Sequence, residues 1–329
     1  MKQKERLSVR QLSVAAFAAG WAPAVSGAGY GWQGAALAVP VVLLAGVIFI
    51  KLCSRWERVS ATIPGKILQA CYTLWGGLLL SRGLRRCGER LELTGGGEDG
   101  TAAWIILLVA LPLLWMAWGR AGAFFRMAEL CALAVLGTVA VVLVWGAFRS
   151  RGQHLLLPAE SVSGGFWAVM EVGGVFLFLL PYINRTEPKE GDGARALVWL
   201  SAVTAGAAVL SAVTAGVLSP AVAAQIREPF FVMTATLGGA FRVEGLISAL
   251  WLISDLIYFG ILAQCGLRQG VMVSRLPAAV VFFAAVGAVF NFFGGVRSEF
   301  WAVGTAVLAG ATLLLLSIGG RNSGRPGSG

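Results

Sequence analysis

Two carboxylates stand where a membrane-grade sequence has no ordinary use for them. Glu171 lies in MEVGGVFLFLLPYI (170–183) and Asp255 in WLISDLIYFG (251–260), each well inside an apolar run. The chain has sixteen acidic residues, and the next nearest to such positions, Glu129 and Glu244, sit close to the ends of their runs. An ionised carboxylate at the middle of a bilayer costs about 3 kcal/mol or more, so it faces a cavity, a partner or a proton. No Lys or Arg lies deep in any of the apolar runs. Protonation or a cationic guest is then the natural compensation.

Glycine adds a second feature. Glu171 is followed by Gly173 and Gly174, and AAGWAP (18–23) combines Gly20, Trp21, Ala22 and Pro23. Both places read as interruptions of a helix. A broken membrane helix offers N–H groups to an anion at one half-helix end and free carbonyls to a cation at the other. That combination suits a zwitterion. Gly20, Trp21, Ala22, Glu171, Gly173 and Gly174 are therefore the candidate ligand-binding residues, and Glu171 and Asp255 the candidates for proton or ion coupling. The competing reading of the glycines is close helix packing. SAVTAG, which occurs at 201–206 and again at 211–216, illustrates it.

Such residues need elements to hold them, and composition says which. The 329 residues are 57% hydrophobic and 13% charged, with mean hydropathy +0.78. A soluble domain carries about 25% charged residues, so most of this surface does not face water. Long apolar runs without strand alternation predict an all-α polytopic membrane protein. About 20 apolar residues cross a bilayer as a helix. About ten spans result: 11–29, 33–52, 63–81, 102–118, 127–147, 162–183, 196–217, 244–266, 277–293 and 300–319. They form one integral membrane domain over 1–319, with a disordered tail at 320–329 (RNSGRPGSG). The stretch 82–101, which contains TGGGEDG, reads as an outer polar loop, and PFFVMTATLGGAF as an interfacial or re-entrant element.

The opening MKQKER and the apolar residues after it also suit a signal peptide. Gly20, Trp21 and Pro23 interrupt its apolar core, so a retained span is expected. Net charge is +10, but no basic stretch interleaves with aromatics as in a nucleic-acid groove. Lys and Arg instead favour the loops on the N-terminal side, which places both termini in the cytoplasm and the basic residues against lipid headgroups. The five cysteines form no C-x-x-C pair, and His154 has no partner at metal-ligand spacing. No cofactor or metal is expected, and no catalytic motif points to an enzyme.

The interruptions at 18–23 and 170–174 fall in the first span of each of two sets of five. Matching interruptions point to an inverted-repeat transporter with broken helices 1 and 6. At this point the residues resemble a family, the endospore germination permeases, B subunits of spore germinant receptors within the amino acid–polyamine–organocation superfamily. REPFFVMTATLGGAFRVEGLISALW (227–251) is similar to that family's Pro-Phe-Phe segment and the Arg-x-Asp start of its span 8, with Arg242 and Glu244 at the charged positions. FFRMAEL (124–130) matches its Arg-x-x-Glu through Arg126 and Glu129, and VFLFLLPYI matches the end of its span 6. The family's glutamate position before that proline holds Gly174 here, and the acid is Glu171. The resemblance implies a leucine-transporter-type 5+5 bundle that binds a small germinant, commonly an amino acid. It also implies work beside A and C subunits in the spore inner membrane. The alternative function is a stand-alone proton-coupled amino-acid transporter.

Overall fold

The computed structural model describes residues 7–95, 101–118, 121–157, 161–179, 191–226, 228–238, 243–265, 276–292 and 298–318. Arg242 and the tail 320–329 lie outside the described residues. Helices make up the fold, with no strand among the described residues. α1 (Val9–Ser26) opens on a capping box: Gln11 N–H donates to the Ser8 hydroxyl at 3.1 Å, and Ser8 N–H to the Gln11 amide oxygen at 3.2 Å. α2 (Trp32–Leu52) leads through a 3-10 turn into short α3 (Trp56–Ala61). Then come α4 (Ile63–Gly95), α5 (Thr101–Trp118), α6 (Ala121–Arg149) and the single turn α7 (Gly152–Leu155). α8 (Val162–Gly174), capped by the Ser161 hydroxyl, passes into a 3-10 helix over Val175–Leu179. The remainder comprises α9 (Asp192–Leu218), short α10 (Pro220–Gln225) and α11 (Pro229–Gly238), α12 (Val243–Cys265), α13 (Leu276–Val289) and α14 (Ser298–Ile318).

Among the described residues, six helices are long and apolar enough to cross a membrane: 32–61, 121–149, 162–179, 192–218, 243–263 and 300–318. Large apolar side chains such as Leu44, Leu133, Val198 and Leu246 stand exposed on their outer faces. Soluble monomers rarely expose contiguous apolar patches beyond a few hundred Å². The fold is that of an all-α, multi-pass membrane protein.

Three expectations change. First, α1 is not broken. Residues 18–23 are helical throughout, and every residue from Leu12 to Val25 is buried. Gly20 is there for close approach: a Cβ would stand 2.9 Å from the Val203 side chain of α9. Pro23 gives no N–H to the Ala19 carbonyl, yet the helix continues, and the Ser254 hydroxyl of α12 donates to the neighbouring Ala18 carbonyl at 2.7 Å. Second, the expected outer loop at 82–101 is helical as far as Gly95. Its 33 residues make α4 roughly 50 Å long at 1.5 Å per residue. Third, α11 is no interfacial element: Phe230, Phe231, Met233 and Leu237 are buried in the core with Trp251.

α1 therefore serves as the central post, with α6, α8, α9 and α12 around it. An aromatic-rich core around Tyr72, Phe125, Phe178 and Trp301 lies on one side, and a second around Phe17, Trp21, Phe230 and Trp251 on the other. α2 and α8 cross almost in backbone contact, because Gly34 faces the Val162 carbonyl and Gly165 faces the Gly31 carbonyl.

Candidate functional site

α4 is the polar spine of the bundle. Read along it, Tyr72 hydroxyl meets Thr312 at 2.8 Å and Trp75 Nε1 donates to Thr305 at 3.0 Å, both on α14. Arg82 then reaches α8, where Nη1 donates to both Glu171 oxygens at 3.0 and 3.2 Å. Arg90 reaches α12, where Nη2 pairs with Asp255 Oδ2 at 2.6 Å. Thr94 and Ser248 close the row at 3.0 Å. Aromatic faces cover both guanidinium groups: Arg82 lies 5.3 Å from the Trp301 ring centroid and Arg90 lies 5.0 Å from that of Phe231.

These contacts correct the expectation that no cation lies deep in the bundle. The side chains of Arg82 and Glu171 are 11% and 14% exposed, and those of Arg90 and Asp255 only 6% and 7%. Burying such charges is unfavourable unless each is paired and hydrogen-bonded. Cation–π contact adds to the compensation. An arginine stands against each of the two carboxylates. They also sit at different levels, since Arg82 and Arg90 are two turns apart, roughly 12 Å along the helix.

Two hollows adjoin these pairs, and a third lies farther along α8. A polar chamber of ≈ 30 Å³ lies between α1, α4, α8 and α12, lined by Ala22, Arg82, Arg86, Glu171, Asp255 and Tyr258, among others. A second, of ≈ 10 Å³, shares Arg82, Arg86 and Glu171 with it and adds Trp167 of α8 and the Gly27–Tyr30 end of α1. Each is of the size that holds about one water. The third is larger, ≈ 380 Å³, and mostly apolar, walled by Leu12 and Ser13 of α1, Val42 and Gly46 of α2, Gly173 and Gly174 of α8, and Thr305 and Ala309 of α14. It extends to Val9, Ser54 and Asp192, at the end of the bundle where α1 begins.

The expected ligand-binding residues are thus divided. Glu171 and Ala22 line the polar chamber. Gly173 and Gly174 line the apolar cavity, and they also admit close neighbours: a Cβ would come 2.4 Å from Val42 and 2.3 Å from Thr305 respectively. The α-helix tightens to 3-10 just after them without unwinding. Gly20 and Trp21 line none of these three hollows. Trp21 packs against Gly206 of α9 and stands edge-on to Phe17, with ring centroids 5.9 Å apart. Their role is packing, since a fully helical α1 has no broken end to offer a guest.

Of the positions marked by the family resemblance, Arg126 is exposed, and Glu129 pairs with Arg10 of α1 at 3.0 Å. Glu244 is half-buried in the first turn of α12. Trp251 stacks on Phe230 with ring centroids 4.8 Å apart. His154 ties the turn after α6 to the end of α9 through the Gly216 carbonyl, at 2.9 Å. Residues that sequence reasoning passed over are Arg82, Arg86 and Arg90. Their signal was present in the spacing: every fourth residue is arginine, one face of a helix. No known protein family matches this chain, and no curated protein matches it.

Proposed function

We propose that this chain is a permease-like membrane subunit that binds a small, amino-acid-like germinant beside α8. The observation that carries the reading is the pair of carboxylate–arginine contacts inside an apolar bundle, Glu171–Arg82 and Asp255–Arg90, in a protein that also holds a ≈ 380 Å³ cavity along α8. Replacing buried ion pairs by apolar residues is often neutral or stabilising. Ionisable groups kept inside a membrane bundle therefore speak for a site. The cavity falls within the usual size of a ligand pocket.

Helix neighbours support a ten-span bundle of two five-span sets. With α1, α2, α4, α5 and α6 as the first set and α8, α9, α12, α13 and α14 as the second, contacts recur in matched pairs. α2 on α8 matches α9 on α1, and α1 on α6 matches α8 on α14. α4 on α13 matches α12 on α5, and α6 on α12 matches α14 on α4. The match has an exception: α8 packs on α9, whereas α1 and α2 make little contact. A second is informative. α1 packs directly on α12, but its counterpart pair, α8 and α4, is joined chiefly through Glu171–Arg82.

Along the cavity walls the Ser13 and Thr305 hydroxyls already donate within their own helices, to Val9 at 2.8 Å and to Trp301 at 2.9 Å, and Ser54 and Asp192 stand at the end where α1 begins. A guest there needs an apolar body, such as an aliphatic side chain. The A and C subunits and the spore inner membrane belong to the same reading.

The test is a thermal-shift screen of the purified protein against an amino-acid panel. At least one aliphatic amino acid should raise the melting temperature saturably, and Ala306→Leu, which fills the apolar cavity, should remove the effect. Reconstituted vesicles should bind that amino acid without accumulating it. No stabilisation by any member of the panel would sink the reading.

A further inference from the structure

Arg82, Arg86 and Arg90 follow one another along one face of α4, about 6 Å apart at each step. The outer two each face a carboxylate on another helix, and the middle one does not. Arg86 makes no hydrogen bond or ion pair among the described residues, yet it is half-buried. It lines both polar chambers. In the smaller one, Arg82 and Arg86 share the space with Glu171, the one carboxylate among its described lining residues. The larger chamber adds Arg90, Asp255 and Glu228, and of its three arginines Arg86 is the one with no ion pair among the described residues.

A guanidinium carries five donors in a planar fork that fits a carboxylate better than any other common group. Left without a partner inside a low-dielectric bundle, it attracts an anion strongly. The Ser26 hydroxyl, on the last turn of α1, is a second polar group in both chambers. We propose that Arg86 binds the carboxylate of a small guest at the end of the bundle where α1 stops. The assignment rests on the reading above that a small molecule enters this bundle, and it adds a position for that molecule at the end of α1 opposite the apolar cavity. Arg82 belongs to Glu171, so the free positive charge is that of Arg86. The chambers admit only a water-sized group as they stand. A carboxylate therefore meets the Arg86 guanidinium at the mouth of the chambers, with the rest of the guest outside them.

Sodium acetate is the probe. Phenylglyoxal modification of the intact protein in nanodiscs, read by peptide mass spectrometry, should label Arg86 faster than the paired Arg82 and Arg90. Acetate should slow labelling of Arg86 by about threefold at twice its Kd, the factor 1 + [L]/Kd. Equal protection by sodium chloride overturns the carboxylate assignment, and labelling of Arg86 unaffected by acetate overturns the site. Arg86→Gln should lose any acetate-dependent rise in melting temperature, and Arg86→Lys should keep a weaker one. The labelling experiment stands even where Arg86→Gln does not fold. If an amino acid stabilises the wild type and Arg86→Gln equally, Arg86 is not the site while the permease reading survives. Acetate protection without any amino-acid effect gives the reverse.

Discussion

Arg82 and Glu171 show how a charge survives inside an apolar bundle. Each is unfavourable alone, and each removes the other's penalty at 3.0 Å. Removing one partner of such a pair leaves a buried charge uncompensated, at about 3–5 kcal/mol. Arg82→Gln alone should therefore lower the melting temperature sharply. The double change Arg82→Gln with Glu171→Gln should recover most of the loss. A double variant whose loss equals the sum of the two single losses would mean that the two side chains do not interact. Arg90 and Asp255 should behave alike, with less tolerance because their side chains are more deeply buried.

Among the elements, α2 and α8 carry the tightest crossing. An added Cβ at Gly34 would lie 1.7 Å from the Val162 carbonyl oxygen, and one at Gly165 would lie 1.9 Å from that of Gly31. Backbone cannot swing aside as a side chain does. Gly34→Ala should thus destabilise by about 1–3 kcal/mol or more through overpacking. Gly137→Ala, on open space in α6, should be neutral or slightly stabilising. Similar melting temperatures for the two variants would show that the crossing is looser than described. The glycines of α8 thus have a packing reason, and Gly173 and Gly174 leave the ≈ 380 Å³ cavity beside them as well.

On the scale of the whole molecule, charge distribution sets orientation. Counting Arg82, Arg85, Arg86 and Arg90 as outer-loop residues weakened the positive-inside bias, and the structure moves all four into α4. The remaining Lys and Arg favour the N-terminal side more strongly, which for a ten-span chain predicts both ends in the cytoplasm. A fluorescent protein fused at the C-terminus should fluoresce, and an alkaline phosphatase fused there should be inactive. An active phosphatase would reverse the orientation or change the number of spans.

Sequence by itself determined that this is a helical membrane protein, because a bilayer demands long apolar runs and tolerates few charges. It marked Glu171 and Asp255 as the carboxylates inside the bundle for the same reason. It misjudged Gly20 and Trp21, because a glycine that permits a bend and one that permits a close neighbour look identical in one dimension. It stopped α4 at the first arginine, because hydropathy counts a charge as solvent-facing whether or not a partner awaits it. Only the tertiary structure decided that Glu171 and Asp255 meet Arg82 and Arg90 and that Arg86 makes no ion pair among the described residues. Those pairings join residues from 89 positions apart upward, across helices whose mutual placement no local pattern encodes.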